Sequence, residues 1–201
     1  DMYFEVPETI RAVDEMGIRA VLPYPGMDFF DEAEAGRRIE RATEFLNTPS
    51  PTDRIKKCVY AHAIYTCSEK QIREFKALAD KYDTYLQIHV SETQTEVDDC
   101  LKKHGCRPVE LLYKWGILGP KTLFAHAVHL NDTEIELIKK KNGFRPILLL
   151  DDVLAELDKY RQRFLFERIE DDLQSIITTT DLNNFNEEFL KDVNIIEIEK
   201  I

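Results

Sequence analysis

Four of the five histidines stand in short apolar, β-branched or aromatic runs, and neutral imidazole is the commonest protein ligand for zinc and similar divalent ions. In Leu86-Gln87-Ile88-His89-Val90-Ser91-Glu92, His89 lies near the end of such a run and Glu92 follows three residues on. At the carboxyl mouth of a parallel barrel, that spacing aims an imidazole at a metal ion and a carboxylate at its bound water. The same residues also read as a satisfied buried histidine and a helix-capping glutamate. In Phe124-Ala125-His126-Ala127-Val128-His129-Leu130, strand alternation puts His126 and His129 on opposite faces, so both reach one site only if the strand ends between them. His62, in Ala61-His62-Ala63-Ile64-Tyr65-Thr66-Cys67, sits near a strand end before a Ser-capped helix, and His104 beside Gly105 reads as a surface helix terminus. A second kind of chemistry is suggested by Ile147-Leu148-Leu149-Leu150-Asp151-Asp152, an apolar strand closing on two carboxylates. In a nucleotide hydrolase the first would hold Mg²⁺ and the second would face the attacking water; the alternative is a buried strand with a helix-capping Asp.

The elements that would position these groups alternate along residues 1–143. Strand-like runs fall at Met2–Phe4, Arg19–Pro23, Ile55–Tyr65, Thr84–Val90 and Thr122–Leu130. Between them, Ile10, Val13 and Ile18 mark one amphipathic segment. Ser68–Tyr82 opens on a cap and carries Ile72, Phe75, Leu78 and Ala79 at helical spacing. Leu101–Gly105 ends a third helix on glycine, and Asp132–Lys141 forms a fourth. This alternation predicts an α/β fold of parallel βα units. Near Gly143 the character changes: residues 144–201 carry 14 acidic and 7 basic side chains. A strand over Pro146–Leu150, a long helix over Val153–Asp172 and strands over Ser175–Thr180 and Val193–Ile198 are expected there, giving domains 1–143 and 144–201. One arrangement this order allows adds the strand Ile147–Leu150 to the sheet edge after Thr122–Leu130, with Asp132–Lys141 as the crossover.

Composition narrows the partners. With 201 residues, 38 acidic against 27 basic side chains and a net charge of −11, bulk electrostatics gives no adhesion to nucleic acid or anionic lipid. The apolar runs are far shorter than the roughly 18–20 residues a membrane span needs, so no membrane partner is expected. No basic stretch followed by an apolar one opens the sequence, so no secretory signal is expected. Cys58, Cys67, Cys100 and Cys106 lack any Cys-x-x-Cys spacing and read as reduced thiols of a cytoplasmic protein.

Residues 1–142 resemble the middle of an amidohydrolase, in the branch that deaminates methylthioadenosine and S-adenosylhomocysteine and includes related chlorohydrolases. The likeness rests on Asp1-Met2-Tyr3-Phe4, His62-Ala63-Ile64-Tyr65-Thr66-Cys67-Ser68, Ile88-His89-Val90-Ser91-Glu92-Thr93, Arg107-Pro108-Val109-Glu110 and Gly119 to Leu130. It implies a partial (β/α)8 TIM barrel of about five βα units, with Zn²⁺ or another divalent metal and a purine nucleoside as substrate. His89 would be the metal ligand on the fifth barrel strand. Glu92 would be the acid/base that carries a proton from the metal-bound water to the leaving ammonia. His126 would orient the intermediate at the end of the sixth strand, His62 would touch substrate and Arg37 would bind its polar tail. The family's His-x-His pair and its eighth-strand Asp have no counterpart in the chain, and Ala61 and Ile64 replace two expected prolines. The resemblance therefore implies a deaminase truncated at both ends and inactive.

Residues 145–201 resemble the C-terminal end of RecF, a recombination-mediator ATPase of the ABC type, through Leu148-Leu149-Leu150-Asp151-Asp152, Val153 to Asp158, Arg161-Gln162 and Ile176 to Asp181. That implies a β-α-β piece of a P-loop ATPase with Mg²⁺ and ATP as cofactors and gapped or single-stranded DNA as partner. Asp151 would be the Walker B aspartate, Asp152 the catalytic carboxylate and Asp158 part of the D-loop. No Gly-x-x-x-x-Gly-Lys-Ser/Thr loop occurs in the sequence. The readings that follow are a metal-dependent deaminase by descent, a RecF-like fragment, and a non-functional join of two gene segments.

Overall fold

Each apolar run from residue 19 to residue 130 becomes a strand followed by a helix that covers it. In the computed structural model, which describes residues 6–142, 147–152, 157–166, 174–185, 187–191 and 193–198, the order begins α1 (Val6–Met16), β1 (Ala20–Gly26), α2 (Glu32–Asn47), β2 (Ile55–Ala61) and α3 (Glu69–Lys81). It continues β3 (Leu86–Val90), α4 (Gln94–His104), α5 (Pro108–Lys114), β4 (Thr122–His126) and α6 (Asp132–Asn142). The strands form one parallel sheet in the order β1-β2-β3-β4. The expected first strand, Met2–Phe4, lies outside the described residues, so four of the five expected strands are seen.

Local chemistry explains the bounds. Ser68 caps α3 by accepting from the Gln71 N–H, and Ile72, Phe75, Leu78 and Ala79 are buried on the sheet-facing stripe. Gly105 closes α4 in the left-handed region at φ 66°, its N–H returning to the Leu101 carbonyl. Pro23 and Pro25 are tolerated because β1 is an edge strand among the described residues. Ala20 N–H and Gly26 C=O bond towards β2, so by alternation the two missing donors face away from it. Two strands stop earlier than their composition suggests. β2 ends at Ala61, and β4 ends at His126, where φ of 68° and then 53° at Ala127 turn the chain. Helix α2, which the sequence reading did not include, lays a stripe of Ala35, Ile39, Ala42 and Leu46 at helical spacing.

The chain divides into two compact units, Asp1–Gly143 and Phe144–Ile201. Taken by itself, the second holds β5 (Leu148–Asp151), α7 (Lys159–Phe166), β6 (Ser175–Thr178), a 3-10 turn (Leu182–Asn184) and α8 (Glu187–Lys191). β5 pairs in parallel with β6 in a separate two-stranded sheet and does not extend the edge at β4. Of the expected helix Val153–Asp172, residues 153–156 and 167–172 lie outside the described set, Leu157 and Asp158 are non-helical, and α7 begins at Lys159. Asp158 caps it, its carboxylate accepting from the Arg161 N–H at 2.8 Å. Val193–Ile198 is not a strand; these residues are irregular and exposed, and no neighbour supplies the ladder a strand needs. No helix among the described residues is long and apolar enough to cross a membrane.

Candidate active site at the carboxyl ends of β2, β3 and β4

Parallel register brings the three histidines to one rim. Ala61 pairs with Ile88, His89 with Ala125 and Val90 with His126, so His62, His89 and His126 follow one another across the strand ends. The rings of His62 and His89 lie 5.0 Å apart between centroids, and those of His89 and His126 lie 5.2 Å apart and stacked. Glu92, two residues beyond β3, sends Oε1 to within 3.7 Å of His126 Nε2. Both side chains remain about two-fifths exposed. Glu92 does not cap the next helix; Thr93 does, its side chain accepting from the Glu96 N–H. The capping alternative is thus closed, and the carboxylate is left for the rim.

His89 Nδ1 sits 2.8 Å from the His62 carbonyl oxygen. A carbonyl only accepts, so the proton is on Nδ1 and Nε2 keeps its lone pair, the arrangement that prepares a histidine to ligate. His62 Nδ1 meets the Thr66 hydroxyl at 2.7 Å. Burial, reinforced by the neighbouring His89, holds the His62 imidazole below its usual pKa, with Glu92 pulling the other way. Tyr65 packs edge-on against His62, and burial with the nearby carboxylates of Glu92 and Glu96 pushes its hydroxyl up. Tyr65 also lines a cavity of about 320 Å³ with Ile64, Thr93, Glu96 and Lys103.

The loops bearing these groups are tied down by residues that sequence reading left unassigned. Asp28, 1% exposed, accepts from Phe30 N–H, Ser68 N–H and, at 2.5 Å, the Ser68 hydroxyl, joining the loop after β1 to the loop after β2. Glu134, fully buried, accepts from Arg107 Nε at 2.7 Å and from Val109 N–H, while Arg107 also donates to the His129 carbonyl. The signals were present as Thr93-x-x-Glu96 and Asn131-x-x-Glu134, the spacing of capping boxes after each histidine strand. His129 serves through its backbone: its N–H donates to the Ser91 carbonyl.

The remaining expected site residues stand on other elements. Arg37 lies on α2 and pairs with Glu34 at 2.7 Å. In the second unit Asp151 ends β5 and accepts from the Thr178 hydroxyl at 2.5 Å, and that same oxygen accepts from the Asp152 N–H. Asp158 is the α7 cap described above. Among the described residues no three His, Cys, Asp or Glu side chains converge to hold a metal ion. A catalytic zinc normally takes three protein ligands, and His89 alone is prepared as one, so the residues described do not by themselves fit the ion.

A model of the amidohydrolase family matches residues 1–194. The chain belongs to the amidohydrolase family. The match continues past Gly143 into the segment whose sequence resembles RecF. Among curated relatives, the 5'-deoxyadenosine deaminase of Methanothermobacter thermautotrophicus is 38% identical over 144 residues, 71% of this chain and 34% of that protein. The 5'-deoxyadenosine deaminase of Methanobrevibacter smithii is 42% identical over 144 residues, 71% and 33%. This amidohydrolase chain spans about a third of the length of the curated relatives it matches. Among solved structures, an adenosine deaminase from Xanthomonas campestris with bound zinc superposes with TM-score 0.61 at 23% identity, covering 70% of this chain and 33% of that one. Guanine deaminase from C. acetobutylicum with bound guanine gives 0.65 at 19% identity, covering 89% and 44%. At these identities the likeness is one of fold, that of the amidohydrolase barrel enzymes.

Proposed function

We propose that this chain carries the acid/base part of a hydrolytic deaminase acting on adenosine analogues. The reading is supported above all by the Glu92 carboxylate standing 3.7 Å from His126 on the shared rim, in an amidohydrolase whose named relatives are 5'-deoxyadenosine deaminases. Deamination replaces the purine amino group by oxygen from water and releases ammonia. Glu92 accepts a proton from the water as it adds to the amine-bearing carbon and returns it to the departing nitrogen. His126, beside that carboxylate, donates a hydrogen bond to the oxygen of the tetrahedral intermediate. His62, held neutral by burial, contacts the substrate ring, and Arg37 reaches the polar tail. His89 would supply a single ligand to a divalent cation, which is fewer than such an ion needs. Four buried free thiols suit action in the cytoplasm.

The test is ammonia release from 5'-deoxyadenosine by the zinc-supplemented full chain, beside Glu92→Gln. Release that falls by about 10²-fold or more in the variant supports the reading; release unchanged by Glu92→Gln overturns it. No release from the unaltered chain favours the inactive, truncated deaminase or the join of two gene segments.

A second reading concerns residues 144–201 as a RecF-like ATPase piece. It is supported by β5 ending in Asp151, with Thr178 bridging Asp151 and Asp152 at the same strand end. On that reading Asp151 holds Mg²⁺, Asp152 faces the attacking water and Asp158 faces a second subunit, with gapped or single-stranded DNA as partner. Binding of a fluorescent ATP analogue that needs Mg²⁺ and is lost in Asp151→Asn supports it, and no binding removes it.

A further inference from the structure

Glu96, Glu110 and Glu134 are among the glutamates of the first unit that stand at the third position of a helix, and these three do not behave alike. Glu110 accepts from the N–H of its own cap residue, Arg107, at 2.8 Å, and Glu134 accepts from the N–H of its own cap residue, Asn131, at 3.2 Å. Asn131 returns the bond, its Oδ1 accepting from the Glu134 N–H to complete a capping box, whereas the Arg107 side chain has no acceptor to return it. Glu96 passes over its cap residue, Thr93, and reaches further back. Its Oε1 accepts from the Ser91 N–H and its Oε2 from the Glu92 N–H, each at 2.9 Å. The carboxylate is nearly buried, with Glu96 7% exposed. A charge so withdrawn from water persists only where charge-assisted hydrogen bonds and a helix N-terminus offset its desolvation.

What Glu96 grips is a strained turn. Ser91 is left-handed at φ 51°, which costs a non-glycine residue energy unless its surroundings over-determine it. The peptide is held from the other side as well: the His129 N–H donates to the Ser91 carbonyl at 2.9 Å, and the Ala127 N–H donates to Val90 at 3.0 Å. The loop that turns out of β4 just after His126 is therefore tied to the same turn that launches Glu92.

We propose that Glu96 is the positioning residue for Glu92, fixing the direction of the acid/base carboxylate towards His126 through the backbone of residues 91 and 92. The proposal rests on the Glu92–His126 reading above and adds to it a group that touches neither substrate nor the reacting atoms.

The test uses the full chain labelled for nuclear magnetic resonance. The readout is the nuclear Overhauser cross-peak between the Glu92 side-chain methylenes and the His126 ring protons. Glu96→Gln keeps the side-chain shape but replaces one acceptor oxygen by a donor. It is expected to lose the cross-peak while the dispersed spectrum of the folded chain is retained. Val97→Ala, at the fully buried neighbouring position, is the control for general loosening and is expected to keep the cross-peak. If Glu96→Gln unfolds the chain, Glu96→Asp carries the same comparison, because it retains the charge but falls one methylene short of the two N–H groups. A cross-peak that survives in the glutamate variant overturns the positioning role and leaves the Glu92–His126 pair standing. A cross-peak missing from the unaltered chain overturns the pair, and this proposal with it.

Discussion

Val59, Tyr60, Leu86 and Ile88 lie on the two inner strands of the first unit, and none is more than 1% exposed; Leu149 and Ile176, on the paired strands of the second unit, are 59% and 51% exposed. The strands are of similar apolar composition, and both sheets are parallel. The difference lies in cover. In the first unit a helix follows every strand and the helices layer against the sheet. In the second, one described helix links two strands, and burial alternates along both, intermediate then exposed. An apolar strand becomes core only where other elements cover it; composition alone does not bury it.

The largest expected effect that tests this contrast is in the first core. Phe75 is fully buried on α3, and a Cβ at Gly26 would run into its ring. Phe75→Ala should cost about 3–5 kcal/mol in urea-induced unfolding followed by circular dichroism. Leu149→Ala in the second unit should cost below about 1 kcal/mol. Equal costs would break the comparison. Next come the ion pairs. Arg107→Met strands the fully buried Glu134 carboxylate and should cost about 3 kcal/mol, whereas Lys102→Met removes a pair with Asp99 that is mostly in water and should cost about 0.5 kcal/mol.

Thiol chemistry sharpens the same contrast by rate. Burial pushes the Cys58 and Cys100 thiols up to about 12 and the Cys67 thiol up to about 11. Alkylation of the native chain at mildly alkaline pH should be slower than that of the denatured chain by about two orders of magnitude or more, read by mass spectrometry. The smallest effect is the pH dependence of His62. Its folded pKa is lowered by burial and by His89, so below the ordinary histidine value of about 6.5 the unfolded chain binds the proton more readily. Stability should therefore rise as pH rises through the window that ends near that value, and His62→Gln should flatten the rise. A slope of opposite sign in the unaltered chain would show that His62 is not held neutral.

Much of the first unit is legible in the sequence because each element declares itself locally. Ser68 with Ile72, Phe75 and Leu78 marks α3, Gly105 marks the end of α4, and Leu86 to Val90 marks β3. Helix α2 is legible too, with Asp31 as cap and Ala35, Ile39, Ala42 and Leu46 at helical spacing, but half of that stripe is alanine, a small residue that marks a core face less plainly. Residues 157–158 and 193–198 depart from expectation in the other direction. Asp158 caps the helix that follows it instead of lying within it, and Val193–Ile198 has no partner strand among the described residues. Local propensity proposes an element, and only a neighbour that accepts its hydrogen bonds or buries its face keeps it.

Sequence by itself determined which groups could do chemistry: His62, His89, Glu92 and His126, each near the end of an apolar run, in an order that resembles an amidohydrolase. Tertiary structure alone decided that β4 stops at His126, leaving His129 to serve through its backbone, and that Glu92 faces His126 while Glu96 turns back to hold its backbone. The physical reason is one of range. Side-chain type and spacing are properties of neighbours along the chain, whereas register between parallel strands and the capture of a strained turn by a buried carboxylate depend on groups that meet only when the sheet has formed.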